Sequence, residues 1–180
     1  MADAQDEDRT GEDFDQKASD LLDRMMGPRN FDPIGTVFNL LRAAHRIEQD
    51  LETGLHRPTR VSTAGFNALF ALYVLGAKEP KRLARLANVS QPSMSSLIKT
   101  LESRELVFKR PSRQDRRSVL IELTTEGRAL CDELIPATHA RAAQWSSALD
   151  AGDRDDLARI LRKLLSVKPP SKRTSPTKED

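Results

Sequence analysis

The chain has one cysteine, Cys131, among 180 residues, so it can form no intrachain disulfide and a reducing compartment is expected. It has no run of about 18 apolar residues, so no membrane-spanning helix and no membrane partner are expected. The opening residues are acidic and polar without an apolar signal segment, which points to a cytoplasmic protein. There is no Gly-rich phosphate loop, and His45, His56 and His139 show no metal-ligand spacing with one another or with Cys131. No Cys/His pair has catalytic spacing either. An enzyme is therefore poorly supported, and neither a metal nor another cofactor is expected. No internal repeat is present.

Net charge is also small, +2 from 29 Lys and Arg against 27 Asp and Glu. That average conceals an asymmetry. Residues 1–32 carry ten acidic and four basic side chains, a net of −6, while residues 78–117 carry eleven basic and four acidic ones, a net of +7. A basic middle beside an acidic end is the footprint of a local polyanion-binding surface.

Residues 1–32 read as an acidic extension. Its first dozen residues are expected to be disordered, and a short amphipathic helix carrying Leu21, Leu22, Met25 and Met26 ends at Gly27 and Pro28. A long helix from about Pro33 to His56 repeats Val37, Leu41, Ala44, Ile47, Leu51 and Leu55, and Pro58 is expected to stop it. Ser62 caps the next helix, on which Phe66, Leu69, Phe70 and Tyr73 cluster, and Gly76 ends it. Toward the C-terminus, Thr124 opens a helix with Glu126 in its positive first turn and Pro136 as a bend. Gly152 and Asp153 then precede a stripe of Leu157, Ile160, Leu161, Leu164 and Leu165. The tail 167–180 is Pro-rich, charged and expected to be disordered.

The segment PKRLARLANVSQPSMSSLIKTLES has the pattern of two helices joined by a tight turn. Leu83, Ala84 and Ala87 give the first helix a small apolar inner face. Asn88 stands where the turn demands a left-handed backbone, and Val89 plugs it. Ser90 caps the second helix, with Pro92 tolerated in its first turn. Met94, Leu97, Ile98 and Leu101 form one narrow apolar stripe. The outer face carries Pro92, Ser96, Lys99 and Ser103, flanked by Ser95 and Thr100. Such small polar groups can enter a major groove about 12 Å wide. The helix start offers backbone N–H groups and the Ser93 hydroxyl to phosphates; Gln91 suits adenine, and Lys99 a guanine edge or a phosphate. A plain Ser-rich surface helix has the same composition, so the helix alone does not decide the matter.

The next segment, LVFKRPSRQDRRSVLIELT, does. It reads as a two-stranded ribbon with a turn at Pro111 and Ser112. Val119, Ile121 and Leu123 share one face of the second strand; Ser118, Leu120 and Glu122 share the other. Five of the nine residues from Lys109 to Arg117 are basic, and only Asp115 is acidic. A recognition helix followed by a basic ribbon is a winged helix-turn-helix: helix in the major groove, ribbon tip on the backbone or in the minor groove of double-stranded DNA.

The run QPSMSSLIKTLESRELVFKRPSRQDRRSVLIELTTEGRAL resembles the MarR/SlyA family of bacterial transcriptional regulators. The family's wing pattern, D-x-R followed by L-T, stands here as Asp115, Arg117, Leu123 and Thr124. The similarity extends over about 34–166. It implies a mainly α (α+β) fold: a winged helix-turn-helix at about 62–124, flanked by helices at about 33–57 and 124–166 that form a homodimerisation region. It also implies that Arg117 enters the minor groove and that Asp115 orients the wing's arginines, Arg113 and Arg116 among them; a fold-holding Asp115–Arg117 pair is the plainer alternative. Two positions depart from the family pattern. Ser96 stands where an Arg often contacts DNA, which shifts readout toward Gln91, Ser95 and Lys99. Glu105 stands where Gly is common, so the turn after the recognition helix is expected to be strained or differently shaped.

Family members commonly answer to small anionic or phenolic ligands, and most are repressors. The candidate effector residues here are Arg42, His45 and Arg46 on the long helix and Phe66 and Phe70 on the next, with core packing and a solvated face as the plainer alternatives. Cys131 is expected to be a buried, inert thiol. Two functions stay open: a ligand-responsive repressor on a pseudo-palindromic operator, or an architectural DNA-binding protein without an effector.

Overall fold

A computed structural model describes residues 14, 16–27, 32–112 and 118–167. The extension before residue 14, the wing tip at 113–117 and the tail from 168 lie outside the described residues. Residues 16–26 form helix α1, and Gly27 closes it in the left-handed region, its N–H reaching the Asp23 carbonyl at 2.9 Å. Helix α2 is Pro33–Leu51. Asp32 caps it by accepting the Ile34 N–H at 3.0 Å. Val37 and Leu41 of its apolar stripe remain exposed.

The expected single helix to His56 changes winding before it ends. Glu52–His56 is a π-turn and Arg57–Thr59 a 3-10 turn. Pro58 has no N–H for the carbonyl four residues earlier, so α-winding gives way ahead of it. Nor is Pro58 the stop. It lies inside the 3-10 turn, and the chain leaves at Arg60, whose φ of 56° is left-handed.

Helix α3, Thr63–Leu75, starts at Ser62, whose hydroxyl accepts the Gly65 N–H at 3.1 Å, and ends at Gly76 with φ 71°. Helices α4, Pro80–Leu86, and α5, Gln91–Ser103, follow. Strands β1, Val107–Pro111, and β2, Val119–Leu123, pair antiparallel from Val107↔Leu123 to Pro111↔Val119. Lys78 adds a short rung beside Ile121 through two backbone hydrogen bonds of 3.1 and 2.8 Å. The expected turn at Pro111–Ser112 is displaced outward. Pro111 is still paired with Val119, and the Ser112 N–H donates to the Ser118 carbonyl at 2.9 Å. At the outer end of the ladder Val119 is exposed, while its face-mates Ile121 and Leu123 are buried.

These elements share one core, in which Leu69, Leu83, Met94 and Ile121 are completely buried. Each such side chain contributes about 1.5–3 kcal/mol through removal from water, more than a helix cap does. Cys131 lies in the same core, and burial pushes its thiol up to about 11, the behaviour of an inert thiol.

Helix α6, Thr125–Ser146, is capped by Thr124, whose hydroxyl accepts the Gly127 N–H at 2.9 Å and donates to the Glu105 carbonyl. The described chain divides into two compact units inside this helix, Met1–Ile135 and Pro136–Asp180. In the second, helix α7, Ala151–Ser166, begins with a reciprocal capping box between Asp150 and Asp153, and Gly152 and Asp153 lie in its first turn, ahead of the apolar stripe. Leu157, Ile160, Leu164 and Leu165 are exposed along α7. No helix among the described residues is long and apolar enough to cross a membrane.

Candidate nucleic-acid interface

The turn between α4 and α5 holds α5 in place. Asn88 has φ 54°, the left-handed geometry its side chain tolerates, and the Val89 N–H returns to the Ala84 carbonyl at 2.9 Å. Leu83, Ala84 and Ala87 are buried behind it. On α5, Met94, Ile98 and Leu101 are buried and Leu97 is packed on the core, so the helix is gripped along one stripe. Gln91, Pro92, Ser95, Ser96 and Lys99 are all exposed on the other side.

The hydrogen bonds sort that outer face. The Ser95 hydroxyl donates to the Gln91 carbonyl at 3.0 Å, the Thr100 hydroxyl to Ser96 at 3.2 Å, and the Ser103 hydroxyl to Thr100 at 2.9 Å. Among the described residues, none engages the side-chain polar groups of Gln91, Ser96 and Lys99. The helix start offers less than its sequence suggests. Ser90 accepts the Ser93 N–H at 3.2 Å, and the Ser90 and Ser93 hydroxyls share a hydrogen bond of 2.6 Å. Ser93 is thus engaged in the cap, and Pro92 carries no N–H. Of the first turn, the Gln91 N–H remains for an anion.

The ribbon follows α5 through a strained corner. Glu105 takes φ 57°, as its place in a position suited to glycine implies. Two of the ribbon's five expected cations are held within the lobe: Lys109 pairs with Glu102 at 2.5 Å and Arg110 with Glu122. Arg113, Asp115, Arg116 and Arg117 belong to the tip outside the described residues. Helix α4 adds cations that sequence reading counted only in its charge sum. Lys81, Arg82 and Arg85 are exposed on the arc opposite Leu83 and Ala84. Their spacing at i, i+1 and i+4 around the buried pair was the signal.

Of the candidate effector residues, Phe66 and Phe70 are brought together, their rings stacked with centroids 6.0 Å apart. Arg42, His45 and Arg46 are exposed on α2. Phe66 is a core residue, 6 % exposed, with its ring stacked on buried His56 at 4.8 Å, in keeping with the core-packing alternative. Phe70, one turn on, is 42 % exposed and lines a groove of about 410 Å³ with Asn67, Ala71, Val74, Leu75 and Leu86. None of the three α2 residues lines that groove.

Two helices at a left-handed turn, the second with a small polar outer face, and a two-stranded ribbon directly behind them define a winged helix-turn-helix protein, a DNA-binding class. The profile of the MarR family matches residues 61–119. Over 135 residues the chain is 30% identical both to the HTH-type transcriptional regulator YwaE of Bacillus subtilis and to the HTH-type transcriptional repressor NicR of Pseudomonas putida. Each alignment covers 75% of this chain, with 79% of YwaE and 85% of NicR. Among solved structures, BpsR of Bordetella bronchiseptica superposes with a TM-score of 0.65 at 27% identity, over 72% of this chain and 98% of that one. The chain belongs to the MarR family of winged-helix transcriptional regulators.

Proposed function

We infer that this chain is a transcriptional repressor that binds a pseudo-palindromic operator as a homodimer and is released by a small aromatic acid. One observation carries the DNA-binding half: Gln91, Ser96 and Lys99 stand exposed and free on the outer face of a helix whose inner face is locked by Met94, Ile98 and Leu101. A helix held that firmly, with so little side-chain bulk outside, suits insertion into a major groove. Ser90, Pro92, Ser93 and Ser95 then border the reading edge. Arg113, Arg116 and Arg117, oriented by Asp115, serve the wing.

Dimer formation is supported by the exposed apolar stripes of α2 and α7, which a second copy would remove from water. Residues 33–57 and 124–166 are assigned to that role and 62–124 to DNA. Release by an aromatic acid is suggested by BpsR, whose DNA binding is described as regulated by 6-hydroxynicotinic acid, and repression by the name of NicR. On this reading the protein acts in the cytoplasm, where the chromosome lies, and catalyses no reaction.

The test is a mobility shift with the DNA upstream of its own gene, with and without 6-hydroxynicotinate and related aromatic acids. A discrete complex that dissolves with acid is the expected result. Uniform binding to any duplex, indifferent to every acid, would make the protein architectural instead.

A further inference from the structure

Arg104 follows the recognition helix inside the most basic stretch of the chain, where a phosphate contact is the simple expectation. Its guanidinium instead turns back on the lobe. Nη2 donates to the Thr59 carbonyl at 2.9 Å and Nη1 to the Arg60 carbonyl. Both carbonyls belong to the turn that carries the chain from α2 into α3.

That turn is unusual twice over. It begins in the π-turn Glu52–His56, a winding that clusters at functional positions, and it ends at the left-handed Arg60. A second set of bonds holds its other side. Glu52 Oε2 accepts the Thr63 N–H at 2.6 Å and the Thr63 hydroxyl at 2.8 Å. With that hydroxyl hydrogen committed to the carboxylate, the Thr63 oxygen accepts from His56 Nδ1 at 3.0 Å. Within the turn, the Thr59 hydroxyl donates to the His56 carbonyl at 2.8 Å. A left-handed non-glycine residue persists where its surroundings over-determine it, and here they do.

We propose that Arg104 is a positioning residue for operator reading. Through the Thr59 and Arg60 carbonyls it locks the end of α5 to the turn below α2, so that α2 sets the pitch of the recognition helix. Two N–H groups of one planar fork on two successive carbonyls fix direction as well as distance; a lysine ammonium supplies a single point. In a two-fold dimer the pitch of each α5 fixes the half-site spacing the protein accepts. This assignment rests on the DNA-binding function proposed above. It adds that Arg104 acts without touching DNA.

The experiment uses the duplex that the full-length wild-type protein selects from a random-sequence pool, and the same duplex with a single base pair inserted at its centre. Failure of the wild type to select any sequence would count against sequence-specific binding itself, apart from Arg104. Given a selected duplex, Arg104→Lys should bind it about tenfold more weakly. The variant should also lose much of the wild type's preference for that duplex over the inserted one, with an unchanged slope of log affinity against log salt. A merely structural defect lowers both affinities in proportion and leaves the preference intact, which would overturn the proposal. Should the slope of Arg104→Ala shrink by about one, Arg104 contacts a phosphate and the proposal also fails. If the Arg104 variants do not fold, Glu52→Gln weakens the opposite clamp on the same turn. Retained spacing preference in that variant counts against the proposal, and loss of it supports the proposal.

Discussion

Tyr73 of α3 donates its phenolic hydrogen to Asp132 Oδ1 of α6 at 2.5 Å, and Arg128, one turn earlier on α6, lies over the same ring at 5.5 Å from its centroid. The pair ties the helix that enters the winged lobe to the helix that leaves it. The hydrogen bond, and then the Asp132 charge, favour the neutral phenol and raise its pKa above the usual 10. Tyr73 is the only tyrosine in the chain, so phenolate absorbance reports it alone. Its titration should lie above pH 10 and move down in Asp132→Asn. An identical curve in the variant would show that the bond is not maintained in solution.

Gly127 should not tolerate a side chain. A Cβ there would fall inside the envelope of the Leu106 carbonyl oxygen and 3.2 Å from Leu123 Cδ2, so α6 could no longer pack against the corner between α5 and β1. The obstruction is backbone, which cannot rotate aside. Gly127→Ala is expected to cost about 3 kcal/mol, the upper end for overpacking, although alanine favours helix. Urea unfolding of the two proteins measures it, and a neutral or stabilising effect would contradict this packing.

His56 predicts a loss of stability in acid. Burial lowers its pKa below 6.5, outweighing the charge of Glu52, and Nε2 has no hydrogen-bond partner among the described residues. Above pH 6.5 the ring is neutral whether the chain is folded or not. Below it the unfolded chain takes up a proton that the folded one resists, so stability falls as pH drops toward the folded-state value. His56→Asn keeps a donor for Thr63 but removes the titration. Between about pH 7.5 and pH 5.5 the wild type should lose more stability than this variant in urea unfolding. Parallel profiles would place the acid sensitivity elsewhere.

On the reading surface, Arg117→Ala should weaken operator binding and reduce the salt slope by about one, while the protein stays folded and dimeric. Lys99→Ala distinguishes two roles for a free cation on α5. A relaxed preference at one base position marks a guanine contact, whereas a uniform loss across sequences marks a phosphate. Equilibrium anisotropy at several salt concentrations measures both, and an unfolded Arg117→Ala would assign that arginine to the fold.

Much of the lobe was legible in the sequence because its signals are local. Ser62 and Ser90 cap helices through N–H groups three residues away, Asn88 meets the need of its own φ, and the stripe of Met94, Ile98 and Leu101 follows from 3.6 residues per turn. The strain at Glu105 was legible for the same reason. Pro58 misled as a stop because a π-turn and a 3-10 turn can absorb what an α-helix cannot.

By itself, then, the sequence determined that a basic winged helix-turn-helix forms, because periodicity, caps and turn chemistry act within a few residues. Only the tertiary structure decided which cations are free. Lys109 and Arg110 are engaged by Glu102 and Glu122, and Arg104 by carbonyls more than forty residues earlier. It also gave Phe66 and Phe70 different burial: one helical turn apart on the same face of α3, their rings stack at 6.0 Å, yet Phe66 is buried and Phe70 is exposed. Such pairings depend on which distant segments meet, and no local pattern encodes that.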